Sequence, residues 1–131
     1  MSRVVHFEIQ ADDLERAKAF YTAVFDWSFL DYGEFMDTPY WGIVTGPDDE
    51  PGINGGLLQR SAPAPSDGHG ANGFVCTMGV DDYDKTEQRI LDAGGHVVLP
   101  KAALTGLAWQ GYYLDPEGNT FGIHQPDPAA A

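Results

Sequence analysis

His6 and Glu8 stand two residues apart in Val4-Val5-His6-Phe7-Glu8-Ile9-Gln10, where apolar and polar side chains alternate. That period is the period of a half-buried strand, so His6, Glu8 and Gln10 share the face opposite Phe7 and Ile9. An imidazole beside a carboxylate can move a proton, attract a cation or contribute to a metal site. Of the other histidines, His69 lies in a Pro/Gly/Ser-rich joint and His96 at a strand start, and both read as surface residues. His124, close to the end of the chain, joins the candidates. The single cysteine, Cys76, excludes an internal disulfide and a cysteine zinc cage. Its place in the alternation makes it a buried core thiol rather than a nucleophile. Asn54-Gly55-Gly56 lacks the Lys-Ser/Thr of a phosphate loop, and Asn54 is a candidate ligand contact at a strand entry. Trp27, Trp41, Trp109, Tyr40, Tyr112 and Tyr113 fall on strands and are mostly core or interface, with Trp41, Trp109 and Tyr113 as candidates for a ligand wall.

The elements that position these residues come from an internal repeat. Shifting the chain by 69 residues lays Val5-His6-Phe7-Glu8-Ile9-Gln10-Ala11-Asp12-Asp13 over Phe74-Val75-Cys76-Thr77-Met78-Gly79-Val80-Asp81-Asp82. Towards the end the offset falls to 66, with Gly56-Leu57-Leu58-Gln59 over Gly122-Ile123-His124-Gln125. A single domain, 1–131, is therefore expected to contain module 3–60 and module 73–126, joined by linker 61–72. Each module reads strand, helix, three strands. Asp12 or Asp13 caps a helix running to about residue 25, and Asp81 or Asp82 caps one running to about residue 93, where Gly94-Gly95 stops it. The remaining strands are expected at 27–32, 39–45 and 53–59, then at 96–99, 107–114 and 119–125. The turn Asp115-Pro116-Glu117-Gly118 separates the last two.

The expected fold class is α+β: two tandem βαβββ modules forming a curved, mixed eight-stranded sheet with a concave cup. His6, Glu8 and Gln10 point into the cup, and by the same offset so do Val75, Thr77 and Gly79. Inward Gly56, Gly79 and Gly122 are expected to widen it for a bulky ligand.

Composition bounds the partners. Seven Lys+Arg against twenty Asp+Glu give a net charge of −13, so no basic face is available for nucleic acid. The charge serves solubility or makes an acidic crevice for a cationic ligand. No apolar run is long enough to cross a membrane, and residues 1–6 show no signal-peptide core. With one cysteine, a cytoplasmic location is expected.

Val4-Val5-His6-Phe7-Glu8-Ile9, the helix with Arg16 and Phe20-Tyr21 ending Val24-Phe25-Asp26-Trp27, and Asp115-Pro116-Glu117-Gly118-Asn119 together resemble the vicinal oxygen chelate superfamily of glyoxalase, bleomycin-resistance and dioxygenase-like proteins. The resemblance covers essentially the whole chain. In the glyoxalase type it implies metal ligands at a first-strand His and a last-strand Glu of each half, or close variants. His6 falls on the first of these positions, while Gly56, Val75 and Gly122 fall on the other three. Three of the four cannot bind metal through a side chain, so no cofactor is expected. His6, Glu8 and His124 as a displaced metal triad are the alternative.

Two functions follow from these observations. The first is a small-molecule-binding protein of the glyoxalase/bleomycin-resistance type without the full metal site. Its ligand would lie in the cup against His6, Glu8, Gln10, Asn54, Thr77, Trp109, Tyr113 and His124. His6 and Glu8 would carry out any acid–base chemistry. The second is a divalent-metal-dependent glyoxalase-like lyase, isomerase or dioxygenase using His6 with rebuilt ligands. A homodimer is expected in either case, because relatives of this fold commonly pair and short units leave strand edges to cover.

Overall fold

The computed structural model describes residues 3–64 and 73–131. The chain divides into two compact units, Met1–Ala64 and Pro65–Ala131. Most of the expected linker, with His69, lies outside the described residues.

In the first unit, β1 (Phe7–Ala11) is followed by α1 (Leu14–Phe25), β2 (Ser28–Asp31), β3 (Tyr40–Val44) and β4 (Gly55–Gln59). The sheet order is β1-β4-β3-β2, with β1 parallel to β4 and the other pairs antiparallel. In β1, Phe7, Ile9 and Ala11 are the more buried residues, and Glu8 and Gln10 are exposed. The apolar face meets α1, whose Ala17, Phe20, Tyr21 and Val24 are buried. Trp27 closes this core, stacked on Tyr21 at 5.0 Å and tilted against Phe7 at 5.8 Å. Asp13 supplies the N-cap, its carboxylate accepting from Arg16 N at 3.0 Å.

The second unit repeats the plan. β5 (Thr77–Gly79), α2 (Tyr83–Asp92), β6 (His96–Leu104), β7 (Ala108–Leu114) and β8 (Thr120–Pro126) give the order β5-β8-β7-β6. Asp82 caps α2, accepting from Lys85 N at 3.1 Å. Gly94, at φ +97°, ends the helix: its N–H donates to Leu91 O and that of Gly95 to Ile90 O. The fold class is α+β: among the described residues each unit has one mixed four-stranded sheet and one α-helix. No described helix is long and apolar enough to cross a membrane.

Two expectations need correction. β6 runs on to Leu104 rather than stopping at Leu99. It is an edge strand with register shifts between Val97 and Leu99 and between Leu99 and Ala102, so the missing N–H of Pro100 interrupts no central ladder. Cys76 is exposed rather than a core thiol. β5 begins only at Thr77, so strand alternation does not govern Cys76. Val75, also ahead of the strand, is half-buried rather than aligned with Thr77.

Candidate functional site

The register of the first sheet sets Glu8, Gly56, Gly42 and Leu30 in one row across the strands. Gln10, Leu58 and Tyr40 form the next row on the same face. This is the face turned away from α1, because Ile9, Leu57 and Ile43 of the alternate positions lie on the core side. Tyr40 leans from its own row over Gly56. A Cβ on Gly56 would overlap the Tyr40 hydroxyl. The glycine therefore does not widen a cavity, as expected from the sequence; it seats a phenol.

The seated phenol joins the two residues singled out first. Tyr40 Oη donates to Glu8 Oε2 at 2.7 Å and lies 3.0 Å from His6 Nε2. His6 Nε2 and Glu8 Oε2 are themselves 3.8 Å apart, with both side chains about half exposed. Burial raises the Tyr40 pKa to about 12, helped by the hydrogen bond to Glu8 and by its charge. The phenol thus keeps its proton throughout the neutral range.

The second sheet carries a counterpart. Thr77, Gly122, Tyr112 and Leu99 make one row, and Gly79, His124, Gln110 and Ala102 the next. Gln110 occupies the place of Tyr40. Its Oε1 lies 2.8 Å from His124 Nδ1, and its Nε2 donates to Thr77 Oγ1 at 3.5 Å. A Cβ on Gly122 would come within 2.8 Å of Thr77 Oγ1 and 2.9 Å of Gln110 Nε2. Here too, the glycine makes room for a neighbouring polar pair rather than for a ligand. Of the three glycines expected to widen the cup, Gly79 alone has empty space beside it.

The other sequence candidates are placed differently. Gln10 is exposed on the His6–Glu8 face, one row from the phenol. Asn54 precedes β4, and its Oδ1 accepts from Thr45 N at 2.9 Å and Thr45 Oγ1 at 3.2 Å, tying the β3–β4 connection. Tyr113 was expected in the ligand wall but is fully buried towards α2. Its hydroxyl bonds Glu87 and lies 2.8 Å from that of Tyr83. Trp109 shares that face of β7. Its Nε1 donates to Asp127 Oδ2 at 2.9 Å, and the Lys101 ammonium stands 4.5 Å from its ring. Trp41 likewise lies beneath an ammonium, that of Lys18, at 3.4 Å. His96 is exposed. Partial burial pushes the Cys76 thiol pKa up, which keeps it protonated and a poor nucleophile. Tyr40 and Gln110 are the site residues that the sequence reading missed. Their signal was the glycine opposite, on the neighbouring strand.

These residues do not fit the four-donor metal site that the resemblance implies. A divalent ion needs several nitrogen, oxygen or sulfur donors at once. Gly56 and Gly122 supply none, and the room their side chains would need is filled by Tyr40 and by Thr77, Gln110 and Tyr112. Among the described residues, no group of three or more His, Cys, Asp or Glu is placed to hold a metal ion.

Known proteins agree with this architecture. The chain is 28% identical over 120 residues to "Putative glyoxylase CFP32" of Mycobacterium bovis and Mycobacterium tuberculosis. The match covers 90% of this chain but 43% of those proteins, so the chain spans less than half the length of these curated relatives. A glyoxylase/bleomycin resistance protein/dioxygenase domain from Frankia sp. superposes with a TM-score of 0.74 at 20% identity, covering 97% of this chain and 93% of that one. The genomically encoded fosfomycin resistance protein FosX from Listeria monocytogenes gives 0.70 at 15% identity, over 95% and 93%. At these identities the solved structures show a shared fold. Residues 3–123 match the family pattern itself, and the chain belongs to the Glyoxalase/Bleomycin resistance protein/Dioxygenase superfamily.

Proposed function

We propose that this protein binds a small molecule on the face of the first sheet that carries His6, Glu8, Gln10 and Tyr40, and that it does so without the family's four-donor metal site. One observation carries the reading: Tyr40 fills the space over Gly56 and bridges His6 to Glu8. Its polar groups include the half-exposed Glu8 carboxylate, so the face suits a ligand with cationic or hydrogen-bond-donor groups. Any reaction there would be acid–base chemistry at His6 or Glu8.

Two measurements test this. Protein purified without chelator is expected to contain no stoichiometric zinc, iron, nickel or manganese by elemental analysis. Near-stoichiometric metal that disappears in His6→Ala would refute the metal-free reading. Titration with metal-free bleomycin, a cationic member of the ligand class, is expected to saturate and to weaken about tenfold in Glu8→Gln, the loss of about 1.4 kcal/mol. Equal affinity of the two proteins would remove Glu8 from the site.

A further inference from the structure

We infer that Tyr40 is a positioning residue: with Glu8 it holds the His6 ring as the Nε2–H tautomer, so that Nδ1 is the acceptor offered to the ligand. The inference rests on the reading of this face as the ligand site and adds the chemical class of the group bound there, an O–H or N–H donor.

The argument is a count of protons. A phenol has one hydrogen to give, and an ionised carboxylate has none. Tyr40 gives its hydrogen to Glu8 Oε2 at 2.7 Å. The Tyr40 oxygen, its hydrogen spent on Glu8, lies 3.0 Å from His6 Nε2, and this contact is a hydrogen bond only if the imidazole donates. A neutral imidazole carries one N–H, so Nδ1 is left with its lone pair. The phenol is held in place by its seat over Gly56, where a Cβ would overlap it. The order Glu8, Tyr40, His6 therefore orients a base without any metal, the carboxylate acting on the imidazole through the phenol.

The second unit supplies an internal control, because its histidine is held the other way round. Gln110 Nε2 donates to Thr77, which leaves Oε1 to accept from His124 Nδ1 at 2.8 Å. His124 is thereby the Nδ1–H tautomer.

Long-range proton–nitrogen NMR of the 15N-labelled full chain, recorded above the histidine titration range, reads both tautomers directly. His6 is expected to show the Nε2–H pattern and His124 the Nδ1–H pattern. Tyr40→Phe and Gly56→Ala, one deleting the hydroxyl and the other displacing it, are each expected to bring the His6 preference down to the weaker Nε2–H bias that a free imidazole already has. The share the hydrogen bond adds is roughly threefold to tenfold, the range one exposed hydrogen bond sustains. His124 should not change in either variant, and an unchanged His124 shows that the fold is intact. A wild-type His6 in the Nδ1–H form, or a His6 pattern indifferent to both substitutions, overturns the assignment. The ligand class is read separately with a matched pair of probes. Phenol, which has a donor, is expected to shift His6 Nδ1, and anisole, which lacks one, is not; equal response to the two refutes the donor class. Because the tautomer is measured without ligand, its failure is distinguishable from failure of the binding reading.

Discussion

Gly111 and Gly56 are both glycines on which a Cβ would overlap a tyrosine hydroxyl, that of Tyr83 for Gly111 and that of Tyr40 for Gly56. The same substitution at the two places should have very different costs. Tyr83 is 1% exposed, and its hydroxyl is bonded to that of Tyr113, which is fully buried and in turn bonded to Glu87. It cannot move aside without disturbing the α2 core. Gly111→Ala therefore incurs overpacking of about 1–3 kcal/mol, plus roughly 1 kcal/mol for a lost buried hydrogen bond. Tyr40 lies on the face away from α1 and can swing outward into water. Gly56→Ala loses hydrogen bonds among exposed groups and gains about 0.4–1 kcal/mol from the restricted unfolded chain, for a net cost below about 1 kcal/mol. Urea denaturation followed by tryptophan fluorescence and circular dichroism measures both. The double variant Gly111→Ala/Tyr83→Phe removes the overlapping oxygen and should recover at least about 1 kcal/mol over Gly111→Ala alone. Equal destabilisation at the two glycines, or no recovery in the double variant, would refute the argument from seated hydroxyls.

Other consequences can be checked directly. The raised phenol pKa values of Tyr40 and Tyr113 stabilise the fold fully below pH 10, the unfolded value, and this contribution is lost as pH rises through the folded values. Stability should therefore fall steadily above pH 10, with Tyr113 ionising, by its absorbance near 295 nm, only on unfolding. Replacing the N-cap Asp13 or Asp82 by Ala should cost about 1 kcal/mol each in urea melts, with no effect on ligand titrations. The protein is expected to sediment as a homodimer at micromolar concentration, because Phe35 and Leu107 are more than two-thirds exposed and β6 is a long edge strand. A species of 14.2 kDa would contradict this.

Helix caps and strand faces could be read from the sequence wherever the determinant was local. Asp13 and Asp82 cap as the residue types imply, and the alternation in residues 4–10 places Glu8 opposite Phe7 and Ile9. What failed was register. In β7 the residues on the open face are Gln110 and Tyr112, so Trp109 and Tyr113 face α2. An offset of 69 residues lays Tyr40 over Trp109, but the strand pairings make Gln110 its equivalent, an offset of 70. One inserted residue between the helix and this strand exchanges the two faces, and a half-buried aromatic strand carries no polar alternation that would reveal it.

That single step in the repeat also explains why the chemistry was hidden. In each unit a polar side chain on the antiparallel strand reaches across a glycine on the middle strand to the first strand: Tyr40 over Gly56 to Glu8, and Gln110 beside Gly122 to Thr77. Read one position at a time, the two glycines are merely lost donors. Read across the strands, they are the condition for a second kind of site, because a side chain at either position would occupy the space its neighbours need. The carboxylate of the first unit and the amide of the second then fix the two histidines in opposite tautomers. The same scaffold that elsewhere in the family presents metal donors would here present imidazole nitrogens set by hydrogen bonds. Placing a carboxylate there by Gly56→Glu must therefore expel Tyr40 and release His6. The variant's His6 tautomer preference should fall to that of a free imidazole whether or not it gains affinity for a divalent ion, and a preference unchanged from that of the unsubstituted protein would show that Gly56 does not seat the phenol.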